Sequence, residues 1–151
     1  MEKLVPANAS MSSVYFIDHS AGQCTKEGGI CMTQGETAPW LALDYGGEVN
    51  VSRVVLINRN DSWAARTKNV NIRVSSTLPV SGREMFTGGQ LLGLFEGPGT
   101  EGQRVEVTGG TQLTGRYVVV QMNFSSAANN LNLQEVTALS KGRFFFSLTK
   151  D

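Results

Sequence analysis

Short runs of alternating or uniformly apolar residues cover most of the chain, and each is of strand length. In the run VNIRVSS, Val70, Ile72 and Val74 would face one side of a strand and polar residues the other. Trp40–Tyr45 and Ser52–Arg59 are rich in apolar and β-branched residues. Further runs of this kind are LLGLFEG, QRVEVTG, RYVVVQM, LQEVTAL and RFFFSLT. Because glycine, asparagine or serine separates the runs, the pattern predicts about eight short strands.

No segment of helical length has a convincing helical period, so the pattern predicts an all-β chain. Thr77–Gln90 is predicted to be a long loop broken by Pro79 and Gly88, and Gly46–Gly47 to be a turn. Strands and loops in this order favour a β-sandwich or jelly roll over a helical or parallel α/β fold. The length indicates a single domain over residues 1–151. Ligand sites in such folds lie on loops at one end of the sheets.

Charge and hydropathy exclude two classes of partner. Thirteen basic residues balance thirteen acidic ones, which argues against nucleic acid binding and against a polybasic contact with a membrane surface. Hydrophobic residues make up 40% of the chain, but no apolar run approaches the roughly 20 residues of a membrane span. The first residues contain no apolar signal-peptide core, so we expect an intracellular protein or a mature domain of a longer secreted one.

The two cysteines lie close together in the segment CTKEGGIC. Cys24 and Cys31 flank a glycine pair, and this spacing allows either a short disulfide or two free thiols. A metal site of cysteine and histidine is not expected, because the chain has a single histidine and no second cysteine pair. Weak evidence for secretion comes from four N-x-Ser sequons, at Asn8, Asn50, Asn60 and Asn123.

The segment NRNDSWAAR is the strongest candidate for a binding site. It follows an apolar run and places Arg59, Asp61, Trp63 and Arg66 within eight residues. Two guanidinium groups can donate to the hydroxyl and ring oxygens of a sugar, a carboxylate can orient them, and an indole can pack against the apolar face of a pyranose. The alternative is an ion-paired surface turn with Trp63 buried in the core.

The order Arg59-x-Asp61-x4-Arg66 resembles the RxDx4R/K signature of the F-type, fucose-binding lectins. The segments TAPWLALDY, FID, GRYVVV and LQEVTAL also resemble segments of that family. The similarity extends from about Tyr15 to Leu139, with residues 140–151 as an additional C-terminal strand. It implies a jelly-roll lectin domain with a structural calcium ion, related to the discoidin-like galactose-binding folds.

The chain departs from the family pattern at the expected sugar site. The signature histidine, which donates a hydrogen bond to the sugar, is replaced by Met32, whose thioether cannot do so. The family's vicinal cysteine pair, an apolar plate under the sugar, is Ser62-Trp63 here. The segment before FID, which in the family shelters the fucose methyl group, is shorter. We therefore expect recognition of fucose or a related sugar through Arg59, Asp61, Arg66, Trp63 and Met32.

The resemblance also implies which residues would hold calcium. Asp18 and Glu135 would supply carboxylates, because calcium prefers oxygen ligands. The remaining ligands would be backbone or hydroxyl oxygens near Tyr15, Ser20 and Gly29 or Ile30.

An enzyme is not expected, because the chain lacks a convincing nucleophile motif and a metal-ligand cluster. Asp44 and Glu48 could form a carboxylate pair for sugar hydrolysis, but a solvent-facing strand end is the simpler interpretation.

The competing hypothesis is a discoidin-like module that binds protein or lipid. Met85–Phe86 in the long loop would be either an exposed tip or a buried anchor. The rings of Phe144, Phe145 and Phe146 would pack in the core or contact another subunit or domain. For a sugar-binding domain we expect fucosylated or related glycans as partners, an extracellular location, and homo-oligomers or tandem domains that strengthen a weak single site.

Overall fold

The computed structural model of the protein describes residues 1–26 and 28–141, and it consists mainly of antiparallel strands. The strands are β1 (Glu2–Lys3), β2 (Asn8–Met11), β3 (Cys31–Met32), β4 (Trp40–Ile57), β5 (Val70–Ser75), β6 (Gln90–Phe95), β7 (Arg104–Met122), β8 (Asn132–Leu133) and β9 (Glu135–Ser140). Three short 3₁₀ turns lie at Ile17–His19, Ala21–Thr25 and Ala64–Arg66.

Two long strands organise a jelly-roll β-sandwich. The larger sheet has the order β1-β9-β4-β7-β5-β6, β2 also pairs with β4, and β3 pairs with β8 in a separate two-stranded sheet. The first half of β4 pairs with β2 and its second half with β9, while β7 accompanies it along most of its length. The apolar faces enclose one main core of valine, leucine and isoleucine side chains. The predicted all-β jelly-roll fold is therefore confirmed.

The predicted turn at Gly46–Gly47 is wrong, because β4 continues through it. The register between β4 and β7 shifts between Asp44 and Val49, and Gly46 has φ +79°. A bulge with a left-handed glycine lets a strand bend without ending. The runs QRVEVTG and RYVVVQM are likewise parts of the single strand β7 rather than two strands, and the register of β7 with β4 shifts between Val51 and Arg53.

The alternating pattern predicted for β5 is confirmed. Val70, Ile72 and Val74 are buried in the main core, whereas Asn71 and Arg73 are only partly buried. Period-2 patterning places one set of side chains towards the core, as the pleat of a half-buried strand requires.

The long loop between β5 and β6 is anchored by Phe86. Its ring packs against Trp40, Ala42 and Val119, and its backbone N–H donates to Gln121 Oε1 at 2.9 Å. These contacts favour the buried-anchor interpretation of Phe86 over that of an exposed loop tip.

The predicted short disulfide is confirmed. Cys24 and Cys31 are bonded, with their Cα atoms 5.3 Å apart, and both are buried in the main core. The bond ties the Ala21–Thr25 turn to β3 and so attaches the segment before β3 to the sandwich.

The predicted additional strand over 140–151, with Phe144, Phe145 and Phe146, lies outside the described residues apart from Ser140 and Lys141. Within residues 1–26 and 28–141, no helix has the length and apolar character needed to span a membrane.

Candidate functional site

The loop that carries the candidate arginines is held by the buried side chain of Asn58, which directly follows β4. Its Nδ2 group donates to the carbonyl oxygens of Ala64 and Thr100, both at 2.9 Å. Its Oδ1 atom accepts a hydrogen bond from Thr67 Oγ1 at 2.7 Å. One amide therefore fixes both ends of the loop, a role that the sequence analysis did not assign to it.

The Arg59 side chain lies at the base of the loop, with the residue only 7% exposed. Its Nε and Nη2 groups donate to the two carboxylate oxygens of Asp61, both at 2.7 Å. Its Nη1 group donates to Asn132 Oδ1 at 3.2 Å. A guanidinium carries five N–H donors, and these contacts use three of them, so two remain for a ligand. Asp61 and Asn132 thus hold the fork in a defined orientation.

The Asp61 carboxylate is strongly favoured in its charged form. The hydrogen bond from Arg59 lowers the pKa of Asp61 below its ordinary value of 3.8, against the opposing effect of burial. The Trp63 backbone N–H, which donates to Asp61 Oδ1 at 3.0 Å, and the charges of Arg59 and Arg66 lower this pKa further. Asp61 therefore stays ionised and can hold Arg59 in mildly acidic solution.

A single 3₁₀ turn brings Trp63 and Arg66 together. The Arg66 N–H donates to the Trp63 carbonyl at 3.0 Å, and side chains three residues apart in a 3₁₀ turn lie on one side of it. The Arg66 guanidinium carbon lies 4.2 Å from the centre of the Trp63 ring, a cation–π contact. Trp63 is 53% exposed, so the alternative of a tryptophan buried in the core is wrong.

The two arginines open into one cleft with a volume of about 230 Å³. The cleft is lined by Tyr15, Met32, Arg59, Trp63, Arg66 and Asn130. Of the residues predicted for sugar binding, Met32, Arg59, Trp63 and Arg66 line this cleft, and Asp61 orients Arg59 from outside the lining. Tyr15, which was predicted near calcium, also lines the cleft.

Met32 reaches the cleft through the two-stranded sheet. It pairs with Asn132 of β8, and its carbonyl accepts the Tyr15 N–H at 2.9 Å. The pairing therefore places a thioether, a tyrosine ring and the amide that holds Arg59 next to one another.

Three asparagines of the site, Asn58, Asn130 and Asn132, were not identified from the sequence. Asn130 lines the cleft and donates through Nδ2 to the Thr33 carbonyl at 2.9 Å. The density of asparagine in the segment ANNLNL could have marked this loop as polar and ordered.

The residues predicted to bind calcium have hydrogen-bond partners and exposures of several kinds. Asp18 is exposed in the Ile17–His19 turn, and the Ser20 carbonyl accepts the Gln23 N–H at 3.0 Å. Glu135 accepts a hydrogen bond from Thr137 Oγ1 at 3.2 Å. No group of three or more His, Cys, Asp or Glu side chains that could hold a metal ion occurs in the described part of the chain. The predicted set contains only two carboxylates, so its other ligands would have to be backbone or hydroxyl oxygens.

The segment expected to surround calcium has two protein contacts of its own. His19 Nδ1 donates to the Ile30 carbonyl at 3.0 Å, and the Cys24–Cys31 disulfide closes the same segment. Calcium binding here stays a prediction from the family resemblance.

Asp44 is engaged by an arginine rather than by Glu48. Arg116 donates to both carboxylate oxygens of Asp44, at 2.8 and 3.1 Å, and this contact lowers the pKa of Asp44. Glu48 is exposed. Both residues lie within β4 rather than at a strand end, and the pairing of Asp44 with Arg116 does not fit a hydrolytic carboxylate pair.

Sequence comparison finds one matching family model, described as "NedA-like, galactose-binding domain", over residues 16–120. This match covers more than half of the chain. No curated protein matches the chain in sequence.

Solved structures with this fold include several carbohydrate-binding proteins. A fucolectin from striped bass (Morone saxatilis) serum has a TM-score of 0.79 and 22% identity, over 91% of this chain and 48% of that chain. A fucose-binding module from Streptococcus pneumoniae has a TM-score of 0.72 and 14% identity, over 94% of this chain and 100% of that one. A Clostridium perfringens module solved with GalNAc-β-1,3-galactose has a TM-score of 0.70 and 12% identity, over 92% of this chain and 100% of that one. The chain thus spans about half of the striped bass chain, and at these identities the likeness shows the fold.

Replacing Asp61 by Asn should destabilise the protein, because Arg59 would keep a buried charge without its counter-charge. We expect a loss of about 1–2 kcal/mol in the free energy of unfolding at pH 7, measured by denaturant titration. The lowered pKa of Asp61 means that its stabilisation is complete well above pH 3.8 and is lost as the pH falls below that value. The difference in the free energy of unfolding between the unchanged protein and Asp61→Asn should therefore decrease below about pH 3.8.

Asp44→Asn is the matched control, since it removes the carboxylate of another bidentate arginine pair in which the arginine is more exposed. It should cost less than Asp61→Asn. Equal losses for the two variants would contradict the special role of the Arg59–Asp61 pair.

If the calcium prediction holds, adding calcium should raise the Tm of the protein, and a chelator should reverse the rise, because an ion that binds only the folded state stabilises it. Differential scanning calorimetry with calcium, magnesium and EDTA measures this effect. Asp18→Asn should reduce the calcium-dependent shift. A Tm that is unchanged by calcium would remove the ion from this loop.

Proposed function

Because the chain belongs to the NedA-like galactose-binding domain family, we propose that it is a carbohydrate-binding lectin domain that acts by binding, without catalysis. Its ligand is a neutral sugar, with fucose and galactose as the first candidates. The sugar occupies the cleft between Tyr15, Met32, Arg59, Trp63 and Arg66.

The observation that carries the proposal is that one cleft is lined by two guanidinium groups that have N–H donors without an acceptor among the described residues. Arg59 has two N–H groups left after its bonds to Asp61 and Asn132. Arg66 stacks on Trp63, and no hydrogen bond or ion pair to its guanidinium is found among the described residues. Oriented donors without acceptors suit a ligand with several hydroxyl and ring oxygens.

The apolar part of the cleft suits the carbon-bound hydrogens of a sugar ring. One face of the Trp63 ring is covered by Arg66, so contact with the sugar falls to its other face or its edge. The Tyr15 ring and the Met32 side chain add apolar surface. A thioether next to a tyrosine ring is a suitable neighbour for the methyl group of fucose.

Met32 also limits the strength of the interaction. A thioether cannot donate the hydrogen bond that histidine provides in the family signature. The loss of one hydrogen bond to a sugar hydroxyl weakens binding by about tenfold. We expect a single domain to bind its sugar weakly, with useful strength reached by joining several sites in tandem domains or a homo-oligomer.

We place this function outside the cell. The Cys24–Cys31 disulfide is typical of an oxidising compartment, and glycans with terminal fucose or galactose would be met there.

A second candidate function, binding to a lipid surface, is favoured by one apolar loop beside the cleft. Val14, Tyr15, Phe16 and Ile17 are all exposed, and Ile17 is 94% exposed. Adjacent exposed apolar side chains are costly in water and are typical of contact surfaces.

The sugar-binding function predicts that Arg66→Ala will bind fucose or galactose glycans at least about tenfold more weakly than the unchanged protein, because charged hydrogen bonds to the ligand are lost. Glycan-array binding followed by calorimetry with the best ligand measures the effect. Arg66→Lys should bind with intermediate affinity, since it keeps the charge but loses the planar fork.

Arg83→Ala is the matched control, because Arg83 is exposed in the long loop and does not line the cleft. It should bind like the unchanged protein. Sugar binding that survives Arg66→Ala in full would reject this site.

The lipid-binding candidate predicts that the protein will sediment with phosphatidylserine vesicles, and that a Phe16→Ser/Ile17→Ser double variant will not. The double variant should keep its sugar binding, because neither residue lines the cleft. Failure of the unchanged protein to sediment with vesicles would eliminate this candidate.

A further inference from the structure

A second cleft adjoins the first on the Lys68 side of the Trp63–Arg66 pair. Its volume is about 390 Å³, larger than that of the cleft at Arg59. It is lined by Ser62, Trp63, Ala65, Arg66, Lys68, Ala128, Asn129 and Asn130. Trp63, Arg66 and Asn130 line both clefts, so the two clefts are neighbours.

The second cleft has cationic side chains and no carboxylate in its lining. Within the described residues, neither Arg66 nor Lys68 has an ion pair. The acid whose charge acts on Arg66 is Asp61, and its two oxygens are already bound by Arg59. The two cations therefore produce a positive potential that no neighbouring carboxylate of the lining cancels.

Glu36 is an acidic residue adjacent to the lining residue Asn129, and its carboxylate has protein partners. Glu36 pairs through its backbone with Asn129, but its Oε2 atom accepts hydrogen bonds from Ser12 and Ser13, both at 2.6 Å. The Glu36 carboxylate therefore already accepts hydrogen bonds from protein hydroxyl groups.

Asn129 and Asn130, on one side of the second cleft, present amide oxygens. Asn130 uses Nδ2 for Thr33 and Asn129 uses Nδ2 for the Ala127 carbonyl at 3.2 Å. Their Oδ1 atoms remain as acceptors for ligand hydroxyl groups. The cleft thus combines hydroxyl acceptors on one wall with two cations on the other.

We infer that the second cleft binds the sugar next to the one held at Arg59, and that it favours a glycan with an anionic substituent, a sulfate or carboxylate, on that sugar. This inference rests on the proposed sugar-binding function. Arg66 can offer a planar fork to the anion, and Lys68 a point charge. The balanced charge of the whole chain makes the preference a local one, for a single anionic group rather than a long polyanion.

The test compares neutral and sulfated forms of the same oligosaccharide. Fucosylated and galactosylated trisaccharides are used, each with and without a sulfate on the sugar next to the terminal one, and Kd is measured by calorimetry in low and moderate salt. We expect the sulfated form to bind roughly fivefold more tightly to the unchanged protein, with the advantage decreasing as salt rises. Lys68→Gln should reduce this advantage, measured as the ratio of the two Kd values, because the lost charge acts on the sulfate more strongly than on an uncharged hydroxyl group.

Lys141→Gln is the matched control, because it also removes one positive charge. Lys141 directly follows Ser140, the last residue of β9. This is the opposite end of β9 from Glu135, which pairs with Ile57. It should keep the full preference for sulfate. Equal affinity for the neutral and sulfated forms, or a preference unaffected by Lys68→Gln, would overturn the second cleft as an anion site while leaving the first cleft intact. Failure to bind any of the trisaccharides would instead reject the proposed function itself.

Discussion

A guanidinium that is almost buried at the rim of an apolar sandwich must have its charge balanced and its position fixed, and the candidate site depends on how the fold does this for Arg59. Asp61 supplies the counter-charge through two short hydrogen bonds, and Asn132 holds the third side of the fork. A buried charge without such partners would be strongly destabilising. Because these partners occupy only part of the fork, the same contacts that make the arrangement stable leave oriented donors at the cleft.

Strand pairing between distant segments of the chain supports Arg59 and its hydrogen-bond partners. Asn132 comes from β8, far along the chain from Arg59, and reaches it because β8 pairs with β3. The disulfide at Cys31 attaches β3 to the preceding turn. The Asn58 side chain fixes the arginine loop by hydrogen bonds to the carbonyl oxygens of Ala64 and Thr100. The site is therefore held by side chains from separate segments, each attached to the rigid sheets. This is a suitable way to present flexible polar side chains to a ligand without a large loss of conformational entropy on binding.

The proposed sugar recognition uses one arginine that is nearly buried and one that lies on an exposed tryptophan. Arg59 is oriented and nearly buried, whereas Arg66 rests on Trp63 between two clefts. Met32 gives the first cleft an apolar residue at the position where the F-type lectin signature, which the sequence resembles, has a histidine. The changes relative to the family signature thus lie in the walls of the cleft rather than in the pair of arginines. Such changes alter which sugar is preferred while the oriented donors are kept.

Local patterns were sufficient for the features that are local in space. The alternation of β5 and the grouping of Arg59 with Asp61 involve near neighbours in the chain, so spacing and propensity determined them, whereas the spacing of Cys24 and Cys31 only allowed the disulfide that the structure contains. The family signature extended this to the fold. Continuity of β4 through Gly46–Gly47 depended on its partner β7, because backbone pairing decides whether a glycine pair ends a strand or makes a bulge in it. Only the tertiary structure decided that Trp63 is exposed, that Asn130 lines the cleft and that Asn132 contacts Arg59. Burial and contacts between distant segments depend on how the whole chain packs.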